Sequence, residues 1–344
     1  MSTKEVVVTP ARIMQTGLGF WASKVLLTAV KLDLFTFLSH SNKSGDEIAK
    51  GLQLQQRGLY DFLDTLVAFK FLHREGLKEN ALYSNTLETE IFLNRNHADY
   101  VGGLLMMAND RLYPYWHHLE EALRTGQPQN EIKSGRANFF LESYKNEEWL
   151  ESFVQAMASA QAGNFAAFAQ QFDFSSYSIH CDIGGAGAHL SAQVALHQPH
   201  MQSISFDLPA VAKVASRTID AMNLQDQVQV VSGDFFADAF PAAEVITMGN
   251  ILHDWDLETK KILIKKAYNA LPSGGAFVVI ENVIDDERKE NAFGLMMSLN
   301  MLIETPGGFD FTASEFIEWT REAGFTSMQV MHLTGPSSAL IAYK

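Results

Sequence analysis

The sequence contains one cysteine and no long apolar run, and both absences limit what the protein can be. Among 344 residues, Cys181 has no second thiol for an internal disulfide or a cysteine-based metal cage. No stretch of about 18 residues is continuously apolar, which argues against a membrane span. The N-terminus, MSTKEVVVTP, lacks the basic, apolar and small-residue succession of a signal peptide. We therefore expect a cytoplasmic protein.

Basic residues are few relative to acidic ones. The chain carries 26 lysines and arginines against 40 aspartates and glutamates, a formal net charge of -14 at pH 7. This excess repels polyanions and anionic lipid surfaces, so we expect neither a nucleic acid nor a membrane as partner. A hydrophobic content of 47% is enough for a large core, and the length favours two domains. We place the boundary between residues 168 and 169.

Residues 26–85 have the pattern of a winged helix. Amphipathic runs such as LLTAVKLDLFTFLS are followed by Ser44 and Glu47 at capping-box spacing, and FLHREG and ALYSNT resemble a short two-stranded wing. A winged helix can enter a DNA groove, but its exposed side here offers Arg57 against Asp61 and Asp64. We favour a helical platform that packs against another element, and keep a ligand-sensing regulator as the non-enzymatic alternative.

The C-terminal part alternates short apolar strands with helices. The segments YSIHCDI, SISFD, QVQVVSG, AEVITMG and GGAFVVIENVI are rich in β-branched residues and separated by helical stretches. Such alternation predicts an α/β fold with a doubly wound, mainly parallel sheet. SMQVMHL and SALIAYK, joined by TGPS, predict an antiparallel pair at the edge of that sheet.

The stretch CDIGGAGAHLS follows the first of these strands and predicts a cofactor loop. A dinucleotide-binding G-x-G-x-x-G motif begun at Gly185 has Leu190 where its third glycine belongs, so a nicotinamide-dependent oxidoreductase is the weaker alternative. Asp182, beside Gly184, would repel a pyrophosphate but attract a ligand that carries an ammonium and a sulfonium. S-adenosylmethionine carries both.

The next two strands end in residues that suit the remainder of this cofactor. Asp207, in FDLP, follows the glycines by about 20 residues and is placed to accept hydrogen bonds from ribose hydroxyls. Asp234, in GDFF, offers an acceptor to an adenine amino group, and Phe235 offers a ring for stacking. Each residue is weak evidence alone, because an acid at a strand end is often a solvated group or a helix cap.

His253, in MGNILHDWD, is the candidate general base. A phenol has a pKa near 10 and is mostly protonated at neutral pH, so methyl transfer to its oxygen benefits from a base. Glu281 ends the apolar strand VVIENVI, where an unpaired carboxylate is costly, and is the candidate that orients the imidazole. Asp310, after a glycine turn, is a second candidate acid, although solvent exposure explains it equally well.

Two helical segments rich in methionine and aromatic residues are candidates for a substrate pocket. They are FVQAM, with Phe153 and Met157, and FGLMMSLNML, with Met297 and Met301. Stripes of this kind are usually core, but methionine also adapts its shape to flat aromatic ligands. Nothing in the sequence suggests a metal site.

Together these motifs resemble the class I S-adenosylmethionine-dependent small-molecule O-methyltransferases. The resemblance depends on the following segments, in this order after a helical winged half: DIGGAGA, FDLP, GDFF, ILHDW, SGGAFVVIENV and PGGFDFT. This family includes caffeate-type, hydroxyindole-type and bacterial polyketide and phenazine enzymes. The resemblance covers nearly the whole chain. It implies a homodimer whose N-terminal helices, in residues 1–168, interlock and help to form the substrate pocket, while residues 169–344 bind the cofactor.

The resemblance also implies roles for individual residues. The positions that match the family's cofactor contacts are Gly184, Asp207, Leu208, Asp234 and Phe235. His253 matches its general base, and Glu281 matches the acid that flanks this base. Substrate-lining positions of the family are matched by Phe153, Met157 and Met301.

The chain departs from the family's pattern at several positions. Asp310 stands where the family commonly has a glutamate, Ala186 and Ala188 where its loop usually has glycines, and Gly249 where plant enzymes have a lysine. The implied reaction is methylation of a hydroxyl on a small aromatic metabolite. Methylation of nitrogen or carbon is the alternative within the same fold.

Overall fold

The computed structural model describes residues 8–97, 99–134 and 147–344. The chain divides into two compact units, residues 1–113 and 114–344. The expected boundary between residues 168 and 169 lies inside the helix Glu147–Gln171. This helix packs on two helices of the second unit, so the two compact units meet earlier in the chain, after residue 113. The boundary at residues 168 and 169 stays a prediction of where the functional regions divide. In the described parts of the chain, no helix has the length and apolar character needed to span a membrane.

The first unit consists of short helices around a small antiparallel sheet, as the winged-helix pattern predicts. The strands lie in the order β1–β3–β2, so the wing has a third strand beyond the two expected. A π-helical turn, Ala108–Leu112, ends the unit. The helices and strands are α1 (Ala11–Gly17), α2 (Gly19–Lys31), α3 (Leu34–Phe37), β1 (Lys43–Ser44), α4 (Gly45–Gly51), α5 (Leu59–Ala68), β2 (Leu72–Glu75), β3 (Leu82–Asn85), α6 (Leu87–Phe92) and α7 (Gly102–Met107).

Local sequence signals explain how this unit folds. The capping box at α4 is confirmed: the Ser44 hydroxyl accepts a hydrogen bond from the Glu47 amide, and the Glu47 carboxylate accepts one from the Ser44 amide. Leu34, Phe35 and Leu63 are fully buried and form the core with their neighbours. Large apolar side chains on α1 and α2, by contrast, are exposed, namely Ile13, Met14, Phe20 and Trp21.

The second unit contains the predicted doubly wound sheet. Seven strands lie in the order β6–β5–β4–β7–β8–β10–β9, of which β4 to β8 are parallel and β10 is antiparallel to both of its neighbours. The predicted antiparallel edge pair is thus confirmed as β9 and β10. The elements are α8 (Tyr113–Trp116), α9 (Leu119–Thr125), α10 (Glu147–Gln171), β4 (Ile179–Ile183), α11 (His189–His197), β5 (Gln202–Asp207), α12 (Pro209–Ala221), β6 (Val228–Ser232), β7 (Val245–Gly249), α13 (Leu257–Ala270), β8 (Ala276–Glu281), α14 (Ala292–Glu304), α15 (Ala313–Ala323), β9 (Ser327–His332) and β10 (Ser338–Tyr343).

The strand order places the candidate residues at one edge of the sheet. The chain moves from β4 outward through β5 to β6 and then returns to β7 on the other side of β4. The loops after β4 and β7 therefore diverge, and open α/β sheets bind their ligands at such a switch point, beyond the carboxyl ends of the strands. Every residue of β8 is buried, because helices cover both faces of a parallel sheet, and its final residue is Glu281.

Candidate active site

The loop after β4 turns tightly on two glycines. Gly184 has a φ of +73°, and a Cβ at this position would overlap the side chain of Ile251. A Cβ on Gly185 would overlap the Ser205 hydroxyl and lie 3.1 Å from Asp182 Oδ2. A side chain at either position would force these neighbours to shift, and the loop passes close to the carboxyl ends of β4 and β5.

Ala186 and Ala188, in the same loop, also have left-handed backbones. Ala186 has a φ of +45° and Ala188 a φ of +60°. A left-handed conformation places the Cβ of an L residue close to a backbone oxygen and costs roughly 1–2 kcal/mol per residue. Strain in the backbone is therefore a direct consequence of these two methyl groups, separate from any crowding of the cofactor.

Asp182 is buried at the end of β4. Its Oδ1 accepts a hydrogen bond of 2.7 Å from the Thr247 hydroxyl on β7. Burial raises the pKa of this carboxyl to about 7; the Thr247 hydrogen bond opposes the rise and the nearby charge of Asp207 adds to it. The carboxylate form is thus held in an environment that favours a nearby cation.

Asp207 joins the loops after β4 and β5. Its Oδ2 accepts a hydrogen bond of 2.8 Å from the Ala186 amide, and its Oδ1 accepts one of 2.7 Å from the Leu208 amide. Burial raises its pKa, and the two backbone hydrogen bonds oppose that rise. Each carboxylate oxygen keeps a lone pair for a ligand hydroxyl. Leu208 packs beside Ala186 on a small apolar cluster that includes Val154 of α10.

The GDFF segment after β6 brings an acid and aromatic rings to the same edge. Asp234 Oδ1 accepts a hydrogen bond of 2.8 Å from the Phe236 amide, so this acid also stabilises its own turn. The Phe235 ring lies 6.1 Å from the Trp255 ring, edge to face, and its Cε1 comes within 4.0 Å of the Cβ position on Gly184. The structure therefore brings Phe235 to the glycine turn.

These residues fit S-adenosylmethionine. The carboxylates of Asp182, which is buried, and of Asp207, which is half-buried, suit a ligand that bears positive charge at one end and hydroxyls in its middle. The Ser205 hydroxyl next to them is buried and has no hydrogen-bond partner in the described part of the chain. Such a group is expected to be satisfied by a ligand or water.

A second cluster forms around His253, on the 3₁₀ turn Leu252–Asp254 that follows β7. Its Nδ1 lies 3.1 Å from Glu281 Oε2 and 3.5 Å from Asp310 Oδ1, while its Nε2 lies 3.5 Å from Asp254 Oδ1. Only 7% of His253 and 2% each of Glu281 and Asp310 are exposed. The Glu281 carboxylate also accepts a hydrogen bond of 3.3 Å from the His253 amide. Burial of Asp310 shows that it is not a solvated surface acid.

The charges in this cluster oppose each other. Burial disfavours the charged form of His253, but the negative charges of Glu281 and Asp254 and the nearby Asp310 carboxylate outweigh it and raise the pKa well above 6.5. Burial raises the pKa of Asp254 to about 6 and also raises that of Asp310. Nδ1 of His253 makes no hydrogen bond within the described part of the chain, so its contacts with the two carboxylates are ion-pair contacts. Glu281 and Asp310 lie beside Nδ1 and Asp254 lies beside Nε2, so negative charge faces both ring nitrogens.

The His253 cluster also has the composition of a metal site. One ligand atom from each of His253, Glu281 and Asp310 lies within 4.8 Å of the others. A histidine with two carboxylates suits several divalent cations. The expectation of a metal-free reaction stays a prediction.

The methionine-rich helix α14 packs on the turn that holds His253. Met301 is buried and Met297 is half-buried, and Ser298 of the same helix accepts a hydrogen bond of 3.2 Å from the Asp310 amide. Phe153 and Met157 are half-buried on α10, which packs on α11 and α12. The role of these four side chains in substrate binding stays a prediction.

Three polar residues near the two clusters were not identified from the sequence. Lys260 is fully buried on α13, donates a hydrogen bond to the Trp255 carbonyl and lies 3.5 Å from the centre of the Phe309 ring. Thr247 and His180 lie inside the sheet. Only Thr247 had a local signal, a polar residue in an otherwise apolar strand.

Comparison with known proteins identifies the family. An O-methyltransferase domain matches residues 116–326, and an O-methyltransferase dimerisation domain matches residues 14–95. The tetracenomycin polyketide synthesis 8-O-methyl transferase TcmO of Streptomyces glaucescens is 36% identical over 335 residues, which cover 97% of both chains. Acetylserotonin O-methyltransferase of Gallus gallus is 31% identical over 334 residues, 96% of both.

Structural similarity agrees with the sequence comparisons. The crystal structure of human N-acetylserotonin methyltransferase in complex with S-adenosylmethionine superposes with a TM-score of 0.90, at 26% identity and over 99% of both chains. Its cofactor and the family matches confirm the predicted fold class and cofactor, and the dimerisation domain supports a homodimer. The chain belongs to the S-adenosylmethionine-dependent O-methyltransferases of the hydroxyindole and polyketide type.

Proposed function

We propose that this O-methyltransferase transfers a methyl group to a hydroxyl of a small, flat aromatic metabolite, with His253 as general base. The observation that carries this proposal is the buried cluster in which Glu281 and Asp310 flank Nδ1 of His253, at 3.1 and 3.5 Å. The adjacent Met-rich helix α14 suits an aromatic acceptor. Relatives named for a polyketide and for acetylserotonin also favour an aromatic substrate of secondary metabolism.

The cofactor is assigned to the loops after β4, β5 and β6. We place its ammonium and methionine part near Asp182 and Gly184, its ribose at Asp207, and its adenine at Asp234 and Phe235. Leu208, at the start of α12, completes the apolar side of this site. When bound, the cofactor supplies an electrophilic methyl group, and the protein's task is to hold it, exclude water and remove a proton from the acceptor.

The proton moves from the acceptor hydroxyl to Nε2 of His253. Glu281 and Asp310 stabilise the resulting imidazolium through their charges near Nδ1. A raised pKa makes His253 a stronger base toward a phenol of pKa near 10, because proton transfer is easier between groups of similar pKa. The raised pKa also means that more of the imidazole is protonated at a given pH, and the protonated ring cannot act as a base. Activity is therefore expected to increase with pH.

The homodimer is proposed to form through the N-terminal helices. The exposed apolar side chains of α1 and α2 support this assignment, because large apolar groups on a surface commonly mark a protein interface. We further propose that these helices contribute to the partner's substrate pocket. Cytoplasmic location, and the exclusion of nucleic acids and membranes as partners, stay predictions from the sequence.

The test is a comparison of His253→Ala with the wild type. We expect turnover of an aromatic hydroxyl acceptor to fall about a hundredfold or more while the dissociation constant for S-adenosylmethionine stays within a factor of two or so. Acceptors are screened by mass spectrometry for methylated product, and cofactor binding is measured by calorimetry. His332→Ala, an exposed histidine on the edge strand β9, is the matched control. Unchanged turnover in His253→Ala would remove the base assignment.

A further inference from the structure

Three polar side chains lie in the interior of the central strands, where the neighbours are apolar. They are His180 on β4, Ser203 on β5 and Thr247 on β7, and all are almost fully buried. The Ser203 hydroxyl lies 3.1 Å from His180 Nδ1, and the Thr247 hydroxyl lies 2.9 Å from His180 Nε2. Because Thr247 also donates to Asp182 Oδ1 at 2.7 Å, the four side chains form one continuous hydrogen-bonded chain.

Strand register explains why these residues meet. Residues 180 and 182 of β4 are two apart and so point to the same face of the sheet. In the parallel pairing, Ser203 of β5 lies directly beside His180, and Thr247 of β7 directly beside Asp182. The chain therefore crosses three strands on one face of the sheet and ends at the loop assigned to the cofactor.

Counting protons fixes the direction of the chain when Asp182 is ionised. Thr247 has one hydroxyl proton, and the carboxylate takes it, so the Thr247 oxygen must accept from His180 Nε2–H. Nδ1 is then without a proton and accepts from the Ser203 hydroxyl. Every donor points toward Asp182, an arrangement in which successive hydrogen bonds strengthen each other. His180 has to be neutral for this, and burial lowers its pKa to about 3.

The direction reverses when Asp182 carries a proton on Oδ1, the oxygen that contacts Thr247. Asp182 then donates to Thr247, Thr247 donates to His180 Nε2, and the ring proton moves to Nδ1, from which it is donated to Ser203. In both arrangements each hydrogen bond between these side chains has one donor and one acceptor. The tautomer of a neutral, buried histidine thus follows the protonation of a carboxylate with which it has no direct contact.

We propose that His180 is a positioning residue for cofactor binding, which acts through Thr247 to orient Asp182 and to stabilise its ionised form. This inference rests on the proposed assignment of Asp182 to the cofactor. The groups around Asp182 are His180 and Cys181 on its own strand, Thr247 on β7, and Ser205 and Asp207 on β5. Of these, only Asp207 brings another negative charge.

A dependence of cofactor affinity on pH follows. Burial raises the pKa of Asp182 to about 7, so at lower pH the carboxyl must release a proton before it can pair with a cationic ligand. The affinity is then expected to fall about tenfold for each pH unit below this midpoint. A hydrogen bond to a charged group shifts its pKa by about one unit or more, so removing the Thr247 hydroxyl should move the midpoint upward by about one unit.

The test measures binding of S-adenosylhomocysteine by calorimetry between pH 5.5 and 8.5, a range set about the expected midpoint near 7. We expect Thr247→Val and His180→Leu to raise the midpoint and to weaken binding at pH 7 about tenfold, and His180→Gln, which keeps a donor, to restore most of the loss. Thr320→Val, which removes another buried threonine hydroxyl on α15, is the matched control and should leave the midpoint unchanged. Equal midpoints in the wild type and in Thr247→Val would overturn the inference.

A second measurement uses the wild-type protein, so it does not depend on whether a variant with an altered interior folds. In the wild-type protein labelled with ¹⁵N-histidine, the His180 signals should report the Nε2–H tautomer above the midpoint and the Nδ1–H tautomer below it. An Nδ1–H tautomer above the midpoint would also overturn the inference, because His180 could then not donate to Thr247. If S-adenosylhomocysteine does not bind at any pH, the proposed cofactor site fails, whereas binding with an unchanged midpoint in Thr247→Val, or with the Nδ1–H tautomer above the midpoint, refutes only the role of His180.

Discussion

Replacing the buried Lys260 with methionine is expected to stabilise the protein and to alter its activity profile. Lys260 is fully buried on α13, where its ammonium donates to the Trp255 carbonyl and lies 3.5 Å from the Phe309 ring centre. Burial lowers its pKa from 10.5 to about 8, and the charges of acids such as Glu281 and Asp310 offset only part of that effect. Methionine keeps most of the aliphatic volume and removes the charge.

The size of the effect follows from this pKa. A decrease of this size means that charging the amine costs about 3 kcal/mol more in the folded than in the unfolded chain at pH 7. Methionine removes that cost but loses the hydrogen bond to Trp255, worth about 1 kcal/mol. We therefore expect Lys260→Met to raise the free energy of unfolding by about 2 kcal/mol at pH 7.

The sign of the pH dependence provides a sharper test. Between pH 8 and 10.5 the unfolded chain holds a proton that the folded protein has released, so the wild type gains stability as the pH rises through this interval. The advantage of Lys260→Met should shrink accordingly. Urea unfolding at pH 7 and at about pH 9.5 measures it, with Lys265→Met, on the same helix, as the control. A variant that is less stable than the wild type by the same amount at both pH values would refute the reasoning.

Loss of the Lys260 charge should also affect the base. Lys260 balances some of the negative charge of Glu281, Asp310 and Asp254, which surround His253. Without it, the imidazolium is favoured more, so the pKa of His253 should rise further. The pH at which kcat/KM reaches half its maximum is expected to move to higher values in Lys260→Met and to stay in place in Lys265→Met.

Two further predictions concern the wild-type base and the cofactor loop. Because neighbouring carboxylates outweigh burial and raise the pKa of His253 well above 6.5, kcat should be lost as the pH falls through that raised value, and a kcat that stays flat from about pH 6 to 9 would contradict this. Gly185→Ala should weaken S-adenosylhomocysteine binding more than about tenfold, since its Cβ would overlap the Ser205 hydroxyl and crowd Asp182. Gly163→Ala, whose Cβ would make only an ordinary 3.6 Å contact, should bind normally in the same calorimetric assay.

Much of the fold follows from local pattern. The short apolar segments are β4 to β8 in the structure, and the two C-terminal segments are the antiparallel edge pair. Such strands can be predicted locally, because the spacing of their apolar residues and the turn residues at their ends indicate them without information about neighbouring strands. The additional strand of the wing, β1, was missed. It has two residues, Lys43 and Ser44, and forms only because β3 offers a free edge. A segment this short carries no periodic signal.

Part of the candidate site was predictable because parallel strands end at the same edge. His253 follows β7 and Glu281 ends β8, and these strands are neighbours, so their proximity required only the expected topology. The sequence left open whether Asp310 is part of the site, because an acid after a glycine turn is equally common on the surface. Its burial depends on the loop packing beside α14, where its amide donates to Ser298, and no local pattern encodes that contact.

His180, Thr247 and Lys260 could not be assigned for a different reason. Their partners are determined by strand order and by aromatic rings distant in sequence. His180 meets Thr247 because β7 lies next to β4, and the charge of Lys260 is stabilised by a backbone carbonyl, the Phe309 ring and nearby acids. From the sequence, a histidine in a strand and a lysine in an amphipathic helix look like ordinary packing and surface residues.

Strand β7 links the two clusters that catalysis is proposed to need. Thr247 within the strand bonds Asp182, and the turn after the strand holds His253, while pairing to β4 and β8 keeps the strand rigid. In the proposed reaction, Asp182 must lose a proton to attract the cationic cofactor, and His253 must lose a proton to act as base toward the substrate hydroxyl. Each group is buried among its own partners. We therefore expect cofactor affinity to follow the protonation of Asp182, and the rate of methyl transfer at saturating cofactor to follow that of His253.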